Sequence, residues 1–292
     1  MRNFYKAVSL FLVIILSVTS CSFFIKDDDL IITSNTSEDK GGYPVFFGNY
    51  EIESEPSTIA SLSPAITEIL FELGFGDRII LKSDFCDFPE AAESIKSVGS
   101  PINPDFDLII EQKPDVLLSF ASISEKDLNI LYKNGIVPVI LNAPQDMESL
   151  KSIYTILGVI LCGNNEKALE STDFFEKSFE QLYTDEVKIG KFAYITTSYR
   201  LAGKSTIEDD FLSNIGENII QSEGYTDDLT ALADKQVDIL LVSNEYTIDD
   251  IKKIPELSKL ECVEKNRVIF LDNQRFERPT SRLMQILEKL KY

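Results

Sequence analysis

The chain has 292 residues, of which 44% are hydrophobic and 26% charged, a balance that suits two medium lobes and excludes disorder over most of its length. Lys+Arg is 28 against Asp+Glu 48, so the net charge is −20, which excludes a nucleic-acid backbone as partner because that requires a basic patch. Histidine is absent, which excludes Ser-His-Asp and Cys-His mechanisms and His-ligated zinc or haem, and tryptophan is absent too.

In chain order, Arg2 and Lys6 open a short basic start, and residues 7–16 (AVSLFLVIIL) are an apolar run too short to span a bilayer as a helix. Val18-Thr19-Ser20-Cys21 follows and resembles the lipobox of bacterial lipoproteins. That resemblance implies a signal peptide over 1–20, lipidation of Cys21, attachment to the outer face of the cytoplasmic membrane and an extracytoplasmic body. Residues 21–42 are polar and acidic, end in Gly-Gly and read as a tether; Asp27-Asp28-Asp29 within it is a solvated charge run rather than a metal site. Cys86, Cys162 and Cys262 are widely scattered, form no C-x-x-C pair and read as small core residues.

From residue 58 short β-type runs alternate with amphipathic helices. A strand is expected at 58–61, then a helix with Ser63 as N-cap and Pro64 in its first turn. Ile66, Ile69, Leu70 and Leu73 share one face of that helix, and Gly74 ends it. Further strands are expected at 79–82, 116–120 and 137–141, with helices at 106–112, 125–133 and 147–157. Residues 166–183 read as one long helix of about 27 Å at ~1.5 Å per residue. Strands at 192–197, 239–243 and 268–271 and helices at 208–215 and 281–290 complete the pattern. The fold class is therefore α/β: two Rossmann-like lobes with parallel sheets (43–162 and 188–292) joined by a single long backbone helix within 163–187. Ligands of open α/β sheets bind beyond the carboxyl ends of the strands, so the site is expected in a cleft between the lobes.

Six segments carry a resemblance. Residues 61–68 (SLSPAITE), 84–89 (DFCDFP), 98–105 (VGSPINPD), 113–116 (KPDV), 216–219 (GENI) and 276–282 (FERPTSR) resemble, in order, motifs of the solute-binding proteins that serve ABC importers of cobalamin, haem and iron chelates. Cobalamin-binding members are the nearest type. The resemblance implies a monomeric, non-enzymatic, lipid-anchored receptor that passes a corrinoid or ferric chelate to an ABC permease and its ATPase. It implies no resident cofactor or protein-bound metal; the metal arrives inside an organic chelate.

Residue by residue, the resemblance assigns Phe85 and Phe120 to aromatic cleft faces and Arg278 to a cleft arginine, while Pro101 replaces a tryptophan of the cobalamin-binding type. Arg275 and Arg200 lie where they could join Arg278, Tyr199 and Tyr246 follow C-lobe strands, and Ser63 sets a hydroxyl at the cleft. Asp107 stands at a permease-docking acid; in the second lobe the aligned position is Thr230, with Asp228 as the nearby substitute. Two other classes fit parts of the sequence. A carboxylate-dependent surface hydrolase has the residue types but no singled-out pair, and a non-transport sensor or adhesin would keep the fold without the docking acids.

Overall fold

The structure is a computed structural model that describes residues 42–184 and 187–290. The expected signal peptide, Cys21, the Asp27–Asp29 run and the tether as far as residue 41 lie outside the described residues. The described chain opens with an antiparallel hairpin, β1 (Val45–Phe47) and β2 (Tyr50–Ile52), unremarked in the sequence. Tyr43 donates its hydroxyl to the Ile160 carbonyl at 3.0 Å, which ties this start of the body to the helix that ends the N-terminal lobe.

The N-terminal lobe is a five-stranded parallel sheet. Its strands are β3 (Ile59–Ser61), β4 (Ile79–Lys82), β5 (Lys96–Ser97), β8 (Val116–Ser119) and β9 (Val137–Ile140), in the order β5-β4-β3-β8-β9. A small hairpin, β6 (Gly99–Ser100) and β7 (Asn103–Pro104), sits beside it. Helices α1 (Pro64–Glu72), α2 (Phe106–Gln112) and α3 (Glu125–Lys133) make the crossovers. Strands β8 and β9 stop one residue before the expected ends at Phe120 and Leu141. At Phe120 the cause is local: its N–H leaves the ladder and donates to Ser63 Oγ at 2.8 Å.

The lobes are joined by a helical pair. Helix α4 (Met147–Cys162) runs past the expected 157, because the apolar run continues until Gly163 turns the chain at φ 80°. Helix α5 (Glu166–Phe179) follows, and a 3₁₀ turn (Glu180–Tyr183) completes the expected helical run to Tyr183. The two pack closely at Gly158, where a Cβ would meet Ser171 Oγ at 2.6 Å and the Ala168 carbonyl at 2.7 Å.

In the C-terminal lobe, β10 (Gly190–Ile195) is flanked in parallel by β12 (Gly216–Asn218) and β14 (Ile239–Ser243), and β15 (Val268–Leu271) extends the parallel sheet. Two short antiparallel strands, β11 (Leu201–Ala202) and β13 (Tyr225–Thr226), add to its edge. Helices α6 (Ile207–Leu212), α7 (Ile248–Lys253), α8 (Pro255–Ser258), α9 (Glu261–Glu264), α10 (Gln274–Glu277) and α11 (Met284–Leu290) fill the connections. The final helix starts as a 3₁₀ turn over Ser281–Leu283, capped by the Thr280 side chain.

One apolar cluster runs from Tyr43 through α4 and α5 to Leu290, so the inner faces of both sheets share a core with the connecting helices. Separate clusters back the outer face of each sheet. Cys86 and Cys262 are buried as expected of small core residues, while Cys162 is only half-buried; all three are free. Among the described residues no helix is long and apolar enough to cross a membrane.

The same device staples each sheet at the amino ends of its strands. Asp115, just before β8, accepts from the N–H groups of Ser57 and Thr58, both at 2.8 Å, and from both their hydroxyls at 2.9 and 3.0 Å. Asp238, just before β14, accepts from Lys191 N at 2.8 Å, and Gly190 makes room, since a Cβ there would lie 2.7 Å from the carboxylate. Burial alone would raise the Asp115 carboxyl, but the hydrogen bonds from Ser57 and Thr58 outweigh it and hold it below the ordinary value. A carboxylate whose folded value is depressed contributes stability that is fully present above its unfolded pKa, near 3.9, and is lost as pH falls through the folded value. Asp115→Ala should therefore destabilise by about 1–3 kcal/mol at pH 7, and the gap from wild type should narrow below about pH 4. Urea unfolding at pH 7 and pH 3 checks this; an equal gap at both would count against it.

Candidate functional site

The carboxyl ends of both sheets face one another, and the loops that leave them carry the residues singled out in the sequence. From the N-terminal lobe come Ser63 after β3, residues 83–89 after β4, and Phe120 after β8. From the C-terminal lobe come residues 196–200 after β10, 244–246 after β14 and 272–282 after β15.

On the N-terminal side Phe85 is 55% exposed, held up by a loop whose own backbone is fixed. Asp84 N donates to the Gly99 carbonyl at 2.9 Å, and its carboxylate accepts from Ser97 Oγ at 2.5 Å. Cys86, the next residue, is fully buried and packs its Sγ 3.2 Å from Ser83 Oγ. Phe85 thus sits on a rigid base with its ring in solvent. Phe120 is half-buried and packs against the shared core. Ser63 does occupy the N-cap position of α1, but its hydroxyl makes no cap bond; it accepts from Phe120 N instead and locks two cleft loops together.

On the C-terminal side Tyr199 and Tyr246 form one aromatic face, their rings stacked with centroids 4.1 Å apart and planes at 23°. Tyr199 N donates to the Tyr246 hydroxyl at 3.1 Å. Ser198 and Tyr199 both adopt left-handed backbone conformations, φ 59° and 55°, a strained tip of the kind that persists where the surroundings fix a functional side chain. Arg200 lies over the Tyr225 ring at 4.6 Å, and the Tyr225 hydroxyl donates to Glu208 at 2.8 Å. Burial raises the Glu208 carboxyl, against its hydrogen bonds, that from Tyr225 included, and against the charge of Arg200. Arg275 pairs with Asp272 at 3.3 Å.

The strongest links cross between lobes. Arg278 forms an ion pair with Asp87 of the β4 loop. Arg282 pairs with Glu68 of α1 at 2.7 Å, and that Glu68 side chain is 1% exposed. The Arg282 guanidinium also lies 3.5 Å from the centroid of the Phe88 ring. Ser281 Oγ donates to Glu72 at 2.7 Å, Ser281 N donates to the Tyr154 hydroxyl at 3.0 Å, and that hydroxyl donates to Glu72. Sequence reasoning placed Arg278 in the cleft but missed Asp87, Glu68, Phe88 and Arg282 as a group. One signal was available: Glu68 stands in a helix whose residues 65–70 are all buried, so its charge required a partner.

The two acids expected to dock the permease differ. Asp107 is exposed in the first turn of α2, free of the capping role that Asp105 performs for Leu108 N at 3.0 Å. Asp228 is exposed too, but it caps the turn Leu229–Leu232, accepting from Thr230 N at 3.0 Å and Thr230 Oγ1 at 2.5 Å. Its role matches that of Asp105, and Thr230 stands in the place of Asp107. Among the described residues no group of three or more carboxylates or cysteines is arranged to hold a metal ion. A cavity of about 610 Å³ beside α4, α5 and α6 is lined by Glu148, Glu176, Glu180 and Asp210 and lies away from these loops.

Two α/β lobes, a connecting helical pair and a cleft rimmed by strand-end loops define the two-lobed solute-receptor class, and solved structures agree on the fold. The periplasmic vitamin B12-binding protein of Vibrio cholerae superposes with a TM-score of 0.62 at 20% identity, covering 81% of this chain and 95% of that one. The periplasmic haem-binding protein of the same organism gives 0.66 at 17% identity, covering 79% and 98%. The chain belongs to the periplasmic binding protein family, whose model matches residues 59–275. Among curated relatives, a vitamin B12-binding protein of Vibrio parahaemolyticus is 24% identical over 253 residues, 84% of this chain and 92% of its own. An uncharacterised ABC transporter substrate-binding lipoprotein of Bacillus subtilis is 25% identical over 258 residues, 82% and 80%.

The Glu68–Arg282 pair yields a stability prediction. Removing one partner leaves the other charge buried and unpaired, so Glu68→Gln and Arg282→Met should each destabilise by about 3–5 kcal/mol. The double variant should lose less than the sum of the two. Urea midpoints for the four proteins give the coupling directly, and strict additivity would show that the pair does not act as a unit.

Proposed function

We propose that this chain is the extracytoplasmic substrate-binding protein of an ABC importer, anchored to the membrane by lipid on Cys21, that captures a corrinoid or ferric chelate and delivers it to the permease. The observation that carries the reading is the presence of aromatic faces on strand-end loops of both lobes: exposed Phe85 on one lobe, and the Tyr199–Tyr246 stack on the other. Such faces suit a broad, largely apolar chelate, which buries ring area against them without metal ligation by the protein. The names of the curated relatives support the same class of cargo. The domain plan consistent with this is a leader at 1–20, a tether at 21–42, lobes at 43–162 and 188–292, and the connection between them. Asp107 meets the permease on one side. On the other side the contact falls at Asp228 and Thr230, where the carboxylate is shared with the turn it caps.

Thermal unfolding of the full chain in detergent micelles, with cyanocobalamin, cobinamide, haemin and ferric hydroxamates and catecholates added in turn, tests the assignment. A ligand at 100 times its Kd stabilises by about 2.7 kcal/mol. At least one of these compounds should give a saturable rise in Tm, and none doing so would overturn the reading. Phe85→Ala and Tyr199→Ala should each weaken binding about three- to tenfold, the range that loss of one aromatic contact gives. Asp107→Ala should abolish uptake into cells while leaving affinity unchanged; uptake at the wild-type rate would favour a sensor or adhesin.

A further inference from the structure

Four guanidiniums stand around the cleft, and three of them already have a carboxylate partner. Arg278 is paired with Asp87, Arg282 with Glu68 at 2.7 Å, and Arg275 with Asp272 at 3.3 Å. Arg200 lies on Tyr225, whose hydroxyl is bonded to the buried Glu208. Two further guanidinium nitrogens, Arg275 Nη1 and Arg282 Nε, lack a hydrogen bond but are buried out of solvent contact and are not offered to an incoming group. Lys82, at the carboxyl end of β4, is only 7% exposed. The same loops carry further carboxylates: Asp84 bonded to Ser97, and Glu277, which accepts from Asn273 Nδ2 at 2.5 Å and feels the charge of Glu245. Arg275, Arg278 and Arg282 therefore hold loops together, Arg200 is held over a ring, and the carboxylates of these loops outnumber the cations.

An anionic ligand would have to compete with a carboxylate for a paired arginine or draw Arg200 off the Tyr225 ring. The one that crosses the cleft between exposed loops is Arg278, and taking it would leave Asp87 unpaired beside the bound anion. Like charges at that separation repel in a partly desolvated cleft. A neutral or cationic ligand meets no such conflict: its amide and carbonyl groups bond to tyrosine hydroxyls and backbone, and any positive charge is welcomed by Asp84, Asp87 and Glu245.

We infer that the cleft selects metal chelates of zero or positive overall charge and rejects anionic ones of the same size. This rests on the receptor reading above and narrows its cargo.

Matched pairs test it, because they hold the core constant and change only the charge. Calorimetric titration of the full chain in neutral detergent would compare cyanocobalamin with its tricarboxylate, made by hydrolysing three side-chain amides. It would also compare ferrioxamine B, cationic through its pendant amine, with its N-succinyl derivative. For whichever core binds, the uncharged or cationic member should bind at least tenfold more tightly. Asp87→Asn, at a side chain 58% exposed and so tolerant of the change, should shrink that ratio by freeing Arg278. Equal affinity within a pair, or tighter binding of the carboxylated member, overturns this inference and leaves the receptor reading intact. Binding of haemin or a ferric tricatecholate alone does the same. Failure of every chelate to bind, in both wild type and Asp87→Asn, overturns the receptor reading and this inference with it.

Discussion

The buried ion pair between Glu68 and Arg282 is the constraint around which the molecule is arranged. A carboxylate with 1% of its side chain exposed survives in a folded protein only where a cation and hydrogen bonds replace its water. Burial pushes the Glu68 carboxyl upward and the guanidinium of Arg282 opposes that shift. The partner comes from the last segment of the chain, so the C-terminal residues must reach back to the first helix of the N-terminal lobe. Beside the pair, Ser281, Glu72 and Tyr154 form a second polar cluster, and Tyr154 belongs to α4. Three parts of the chain, α1, α4 and the C-terminal segment, are thus bound in one place. Separating the lobes there would strand two charges in a low-dielectric interior. The continuous apolar core through α4 and α5 acts in the same direction, and together they favour small closures over wide hinge motion.

The cleft geometry follows from that anchorage. Once Arg282 is fixed against Glu68, its guanidinium covers Phe88, and Arg278, one turn earlier in the chain, falls beside Asp87. The loop after β4 is then held from the C-terminal lobe by two arginines and from below by buried Cys86. Phe85 is the residue left facing solvent. On the opposite wall the Tyr199–Tyr246 stack is set by the strained backbone at Ser198 and Tyr199. Rigid aromatic faces on fixed loops bind with little ordering cost, which is how a shallow site gains affinity.

The longer parallel strands were legible in the sequence because they are mostly buried apolar runs, such as Ile239–Ser243, whereas the parallel β5 and β12, two and three residues long, were not. The 106–112 and 125–133 helices were equally plain, each with a side-chain cap, Asp105 and Ser124, and a clear stop. The short antiparallel pieces, β1, β2, β11 and β13, were not, since two or three residues carry no period. The site was half legible. The resemblance singled out Phe85, Phe120 and Arg278, and the strand–helix order put Ser63, Tyr199, Arg200, Tyr246 and Arg275 beside strand ends with them. What each side chain touches could not be read, because the decisive pairings join residues as far apart as Asp87 and Arg278, 191 positions in the chain. Ser63 shows the limit well: a serine before a proline at a helix start signals an N-cap, yet here its oxygen serves the Phe120 N–H instead.

The distribution of cations ties these points together. In a chain of net charge −20, four of the seven arginines gather at the cleft, and three of those four lie within residues 275–282. A cluster of that sort in an acidic protein invites the idea of an anion trap. The geometry points the other way, because three of them are already matched by acids: Arg278 by Asp87 and Arg282 by Glu68 of the other lobe, and Arg275 by Asp272 of its own. Arginine suits this task better than lysine, since its planar fork can pair with a carboxylate and stack on a ring at once, as Arg282 does with Glu68 and Phe88. The paired charges hold the loops in place, and under the proposed function recognition falls to the aromatic rings and neutral polar groups of those loops.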